Sequence, residues 1–281
     1  ATSFNIIAKD AYVTLIESAA GVATTSATIA ATGTNEIEFA AADAASLTSV
    51  SVTGKGSVDL SGAELSALKT LTAADGGVTV NANGTVLETV TTGAGADTIT
   101  ASTSALAATA TINLGAGDDL LTLAATPAAG ATLTAGDGTD TLGMAKASYT
   151  TVAAYSTTNL AKITGFEVLS ITDVLATADA AYDVSKIAGI TSFKAADGIT
   201  TAEAARVFNL GVNSTVELAG AAGNNGTLTA NLKTDTTADT MTLKLNKDYI
   251  DDNNATIGAH AASHTVVAAT VETLNVVSTG N

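Results

Sequence analysis

Between residues 46 and 145, short runs of alternating apolar and polar residues are cut at regular intervals by segments rich in glycine, aspartate and asparagine. Alternation with a period of two predicts half-buried strands, and the intervening residues are turn formers. Five segments align on their turns: SVTGKGSVDL (51 to 60), TAADGGVTVN (72 to 81), TTGAGADTIT (91 to 100), NLGAGDDLLT (113 to 122) and TAGDGTDTLG (134 to 143). The aliphatic closing each turn is Val58, Val78, Ile99, Leu121 and Leu142, at spacings of 20, 21, 22 and 21 residues. A second apolar ladder precedes the turns: Leu47, Val50 and Val52, then Leu68 and Leu71, Leu87 and Val90, Ile112 and Leu114, and Leu133. One coil of this size cannot bury its own apolar side, so equivalent positions must stack on neighbouring coils about 4.8 Å apart. The pattern predicts an all-β chain, a right-handed parallel β-helix or β-roll solenoid.

The pattern returns less regularly downstream. LKTLTAADGGVT (68 to 79) is echoed by ITSFKAADGIT (190 to 200), and Asp59-Leu60-Ser61 by Asp183-Val184-Ser185. GFEVLSITD (165 to 173) is likewise echoed by TVETLNVVS (270 to 278). The expected organisation is an N-terminal β segment (1–45), the regular solenoid (46–145), an irregular continuation (146–204) and a β-rich C-terminal lobe (205–281). Alanine runs at 176 to 181 and 202 to 205 favour short helical turns. Pro127, the single proline, falls between ladder positions, where a missing N–H is tolerated.

Composition narrows the partners. Hydrophobic residues make up 46% of the 281 but aromatics only 4%, so the core must be built from small aliphatics, which suits a thin stacked coil. The formal net charge is -16, and Arg206 is the one arginine. Nucleic acid and anionic membrane surfaces are therefore disfavoured, whereas carboxylates crowded on turns favour a multivalent cation. Cysteine is absent, which removes disulfides and thiolate metal sites. No run approaches the length of a membrane helix, so membrane insertion is not expected. The opening ATSFNIIAKD has neither a basic nor an apolar leader region, and is expected to be internal to a longer exported parent.

Three consecutive turns share Gly-x-Gly-x-Asp-x-aliphatic: Gly93, Gly95 and Asp97; Gly115, Gly117 and Asp119; Gly136, Gly138 and Asp140. Glycine permits positive φ and lets carbonyl oxygens converge, while the aspartate adds a hard anionic oxygen. Oxygen-only ligands select calcium over zinc or copper. One turn supplies too few oxygens, so two sites are expected, between the Asp97 and Asp119 turns and between the Asp119 and Asp140 turns. Asp118 and Asp137 are further candidates. The turn at Gly54 to Val58 lacks the aspartate and that at Ala74 to Gly77 displaces it, so no full site is expected there. Asp197, Asp251 and Asp252 read as solvated turn residues, His260 and His264 as loop histidines, and Asn83, Asn213, Asn225 and Asn254 as turn asparagines. With two neighbouring histidines, no cysteine and no tryptophan, no catalytic constellation emerges, and a non-enzyme is expected.

These turns resemble the glycine-rich nonapeptide repeats of RTX proteins, whose parallel β-roll binds calcium between successive turns. GFEVLSIT and VETLNVVS are similar to strands of RTX-like surface-layer proteins of Gram-negative bacteria. The resemblance implies type I secretion, an extracellular location and self-association into a two-dimensional coat. It also implies contact with cell-surface polysaccharide through another part of the parent. An RTX adhesin segment or the repeat domain of a secreted hydrolase are the alternatives. The sequence departs from the family pattern in two ways. The first glycine of each nonapeptide is Thr92, Leu114 or Ala135, and the loop occurs once per coil, so one edge alone is expected to bind metal.

Overall fold

The computed structural model describes residues 3–15, 24–62, 65–82, 87–101, 105–176, 181–199, 204–219, 227–245, 265–269 and 271–278. The described residues are almost entirely β, with parallel sheets stacked as a β-solenoid. The chain divides into two compact units, residues 1–142 with 155–166, and residues 143–154 with 167–281. Each is described by itself.

In the first unit every coil contributes one strand to each of two parallel sheets. One sheet runs β1 (Ser3–Lys9), β3 (Ser26–Thr32), β5 (Ser49–Gly54), β7 (Thr70–Ala73), β9 (Thr89–Thr91), β11 (Thr111–Ala116), β13 (Thr132–Asp137) and β15 (Ile163–Thr164). The other runs β2 (Tyr12–Leu15), β4 (Thr34–Phe39), β6 (Ser57–Asp59), β8 (Val78–Ala82), β10 (Thr98–Ala101), β12 (Leu120–Leu123) and β14 (Thr141–Met144), whose last two residues belong to the second unit. The strands form because alternate side chains point inward, as in the buried-intermediate alternation of Val78 to Ala82. The inward residues stack in columns. One contains Ala27, Val50, Leu71, Val90, Ile112, Leu133 and Ile163, each buried. This is the second ladder read from the sequence. Outward positions of the same sheet carry Ser51, Thr72, Thr91, Asn113 and Thr134, which leaves a polar, uncharged face. A single helical turn, α1 (Ala41–Ala44), precedes β5, and between β14 and β15 the chain inserts α2 (Lys146–Ala153), which belongs to the second unit, and α3 (Thr157–Leu160), capped by Ser156. Pro127 lies outside the strands, and its carbonyl accepts the Tyr155 hydroxyl.

One column differs from the sequence-based alignment. Val58 pairs with Val78, but Val80, not Val78, pairs with Ile99, and Ile99 with Leu121. Val78 instead lies in register with Asp97. A strand with two inward aliphatics, Val78 and Val80, offers two registers that bury apolar side chains equally, and spacing alone does not choose between them.

In the second unit one sheet contains β16 (Val168–Ile171), β18 (Ser192–Ala195), β20 (Ser214–Leu218), β22 (Thr240–Leu245) and β24 (Thr273–Ser278). The other contains β17 (Tyr182–Asp183), β19 (Ala204–Leu210), β21 (Thr227–Leu232) and β23 (Thr265–Ala269). Its core has larger side chains: the Tyr182 ring lies 5.3 Å from that of Tyr149 and 5.5 Å from that of Phe193. On the outer face Glu217 bridges Lys194 and Lys244 of the adjacent strands, at 3.3 and 3.2 Å. The echoed Asp-x-Ser triplets share one hydrogen bond: the Asp59 carboxylate accepts the Ser61 amide, and that of Asp183 accepts the Ser185 amide. Ala204 and Ala205 belong to β19 rather than to the helical turn expected there, because an alternating strand pattern follows them and tertiary pairing overrides alanine's helical preference. Residues 177–180 and 200–203 lie outside the described residues. No helix among the described residues is long and apolar enough to cross a membrane.

Candidate functional site in the glycine-rich turns

Each Gly-x-Gly-x-Asp turn joins an odd strand to the following even strand, and its aspartate immediately precedes the even strand. The pairing of β10 with β12 places Asp97 and Asp119 in register, and Asp140 takes the equivalent place before β14. The three aspartates thus form one inward-facing column on one edge of the first unit. They are 1%, 2% and 0% exposed.

Hydrogen bonding explains the burial. One oxygen (Oδ1) of Asp97 accepts the Val78 amide at 2.6 Å, that of Asp119 accepts the Asp97 amide at 2.7 Å, and that of Asp140 accepts the Asp119 amide at 2.8 Å. Each carboxylate therefore serves the coil before its own. Two coils earlier, the Val58 amide finds an ordinary backbone acceptor in Gly77 at 3.0 Å. In the aspartate turns the carboxylate takes the place of that carbonyl as the acceptor for the previous coil.

The second oxygen of Asp119 has no such partner. Oδ2 of Asp119 is fully buried and accepts no hydrogen bond. Burial pushes the Asp119 carboxyl up to about 7; the Asp97 amide opposes this, while the charges of Asp97, Asp140 and Asp118 reinforce it. Burial also raises Asp97, against the Thr92 hydroxyl and the Val78 amide. Thr92 is itself buried and has a single hydroxyl proton, which is directed to the Leu114 carbonyl, so it serves Asp97 only in exchange for that bond. A buried carboxylate with an oxygen left unsatisfied is costly unless a proton or a cation meets it.

The glycines are required chiefly by close stacking. A Cβ on Gly115 would lie 2.0 Å from the Gly93 oxygen, on Gly117 2.6 Å from that of Gly95, on Gly136 1.7 Å from that of Gly115, and on Gly138 1.9 Å from that of Gly117. Carbonyls of one turn thus point at the glycines of the next. Gly115, Gly117, Gly136 and Gly138 have positive φ as expected. Gly93 and Gly95 do not; there a side chain is excluded by the backbone of Ala74 and Gly77. Asp118 and Asp137 are exposed, and Asp118 accepts the Thr139 amide at 2.8 Å on the outside of the turn.

The column extends beyond the three turns singled out by sequence. Register carries it back through Val78, Val58 and Asn35 to Ala11. A glycine stands two residues before each of Asn35, Val58, Val78, Asp97, Asp119 and Asp140: Gly33, Gly56, Gly76, Gly95, Gly117 and Gly138. Asn35 was not among the sequence candidates, although Gly33-Thr34-Asn35 carried the signal in a shorter form.

Asp75 and Asp197 are exposed turn residues. His260, His264, Asp251 and Asp252 lie outside the described residues, as do Asn83, Asn225 and Asn254. Asn213 occupies a turn with φ 61°. Among the described residues, no group of three or more His, Cys, Asp or Glu side chains is placed to hold a metal ion, so a cation in this column would depend on main-chain oxygens for most of its ligands. In comparisons with known proteins, no family model and no curated sequence matches this chain.

Proposed function

We propose that the chain is a calcium-dependent structural segment of a bacterial surface layer, extracellular and non-catalytic, in which the aspartate column of the first unit is completed by metal. The observation that carries the calcium reading is the buried second oxygen of Asp119, unsatisfied within a ladder of like charges. The donor set is hard oxygen throughout, which suits calcium and not a soft or nitrogen-seeking metal. Asp97, Asp119 and Asp140 would hold it, with main-chain oxygens of the turns at Gly93, Gly95, Gly115, Gly117, Gly136 and Gly138. When bound, calcium supplies the positive charge that the buried carboxylates lack. The coat assignment rests on the resemblance of the turns and of the strand segments to RTX-like surface-layer proteins. The partners that follow are further copies of the same protein and, through other parts of the parent, surface polysaccharide.

The test is a calcium titration of chelator-treated protein. Melting temperature and the far-ultraviolet β signal should rise with calcium, and electron microscopy should show ordered sheets only when calcium is present. Absence of any calcium effect on melting would overturn the metal reading. A calcium-stabilised chain that stays monomeric would overturn the coat and leave an adhesin or hydrolase repeat segment.

A further inference from the structure

The column position after each turn is filled in three chemically different ways. In the coils of Val58 and Val78 the inward residue is apolar and both are 1% exposed. In the coils of Asp97, Asp119 and Asp140 it is a carboxylate. In the coil of Asn35 it is an amide, 2% exposed, and the amide is satisfied at both ends.

Asn35 and the aspartates use their first oxygen alike. The Asn35 Oδ1 accepts the Ala11 amide, one coil back and in register, at 3.2 Å. This is the bond that Asp97 makes to Val78 and Asp119 to Asp97. They differ at the second atom. Where Asp119 has an unsatisfied anionic oxygen, Asn35 has an NH₂ group whose two protons are shared among three carbonyls: Thr32 at 3.2 Å, Gly33 at 3.4 Å and Ser57 at 3.1 Å. Those carbonyls belong to the residues three and two before the column residue and to the residue just before the next column position. Counted back from the column residue, the carbonyls at the same places for Asp119 are those of Ala116, Gly117 and Thr139, in a turn one residue shorter than that of Asn35.

An amide donor at this place is attracted by carbonyl oxygens such as those around Asn35, whereas a carboxylate oxygen buried there without a donor is repelled by them. We infer that Asn35 is the built-in, metal-independent way of filling this column position, and that asparagine or aspartate there decides coil by coil whether the solenoid closes alone or waits for a cation. This deepens the calcium reading and rests on it. It assigns calcium dependence to the stretch from Asp97 to Asp140 and exempts the coils of Asn35, Val58 and Val78 from it.

The experiment compares the full chain with Asp119→Asn, Asp119→Ala and Asn35→Asp, each melted in chelator and in saturating calcium, with bound calcium counted by equilibrium dialysis. Asp119→Asn should melt at least about 3 °C above wild type in chelator, bind less calcium, and show a smaller calcium-induced rise. Asp119→Ala should lose calcium without gaining stability in chelator, because it cannot supply either hydrogen bond. Asn35→Asp should melt lower in chelator and recover on adding calcium. A wild type indifferent to calcium overturns both the inference and the reading beneath it. A calcium-responsive wild type with Asp119→Asn no more stable in chelator than Asp119→Ala overturns this inference alone.

Discussion

Replacing Gly136 by alanine tests whether close stacking, and not merely backbone conformation, demands glycine in these turns. Two costs are superposed at that position. Its φ of +119° is one that residues with a Cβ rarely adopt, and such strain costs about 1–3 kcal/mol. The added Cβ would also sit 1.7 Å from the Gly115 carbonyl oxygen, about half an ordinary contact distance, and the obstacle is backbone held in a parallel ladder. Overpacking of this kind typically adds about 1–3 kcal/mol, so Gly136→Ala should cost about 2–6 kcal/mol, a large part of the stability of an ordinary domain. The structure supplies the control. Gly130 has nearly the same φ, +113°, but a Cβ there would meet only the oxygen of Ala108 at 3.3 Å and its methyl at 3.4 Å. Gly130→Ala should therefore show the conformational cost with little collision. Gly93→Ala gives the converse, a Cβ 2.7 Å from the Ala74 carbonyl carbon without positive φ. Urea denaturation of the three variants, with and without calcium, separates the contributions. Equal midpoints for Gly136→Ala and Gly130→Ala would refute the stacking argument.

Two other consequences can be measured on the same protein. In chelator, stability should fall as pH rises from about 4 to about 7, because the folded state keeps the proton of Asp119 that the unfolded chain has already released. The whole effect from that residue is at most about 4 kcal/mol. Saturating calcium should reverse the slope, since ligands must be deprotonated; urea midpoints at four pH values would show it, and a flat profile in chelator would count against a buried, protonatable Asp119. In the second unit, Tyr149 accepts the Asp183 amide at 2.7 Å and donates to the Asp183 carbonyl at 2.9 Å. Tyr149→Phe should cost about 1–3 kcal/mol, and ultraviolet titration of the wild type should show one tyrosine ionising near 12, raised chiefly by burial, that the variant lacks.

How much of this was legible beforehand depends on what the spacing could distinguish. The column through Val50, Leu71, Val90, Ile112 and Leu133 was readable because those strands keep their inward residue at a nearly constant interval. The column through Val58 and Val78 was not, because β8 presents two inward valines and a slip of two residues conserves burial. The common edge of Asp97, Asp119 and Asp140 followed from the repeat. Their burial did not, since nothing local announces that a carboxylate will replace a backbone carbonyl as the acceptor for the previous coil. Asn35 escaped notice for a related reason: its turn has one glycine before the column residue instead of two, and asparagine is an ordinary turn residue until its partners are known. Backbone freedom does not account for Gly93 and Gly95, whose neighbours one coil away are what forbid a side chain.

The aspartate ladder has a direction. Every amide it satisfies belongs to the earlier coil and every oxygen to the later one, so truncation is asymmetric. Cutting away the upstream coil of such a pair merely frees an acceptor, which water can meet. Cutting away the downstream coil strands an N–H in the coil that stays, so the solenoid should tolerate shortening from its beginning better than from the far end of the ladder.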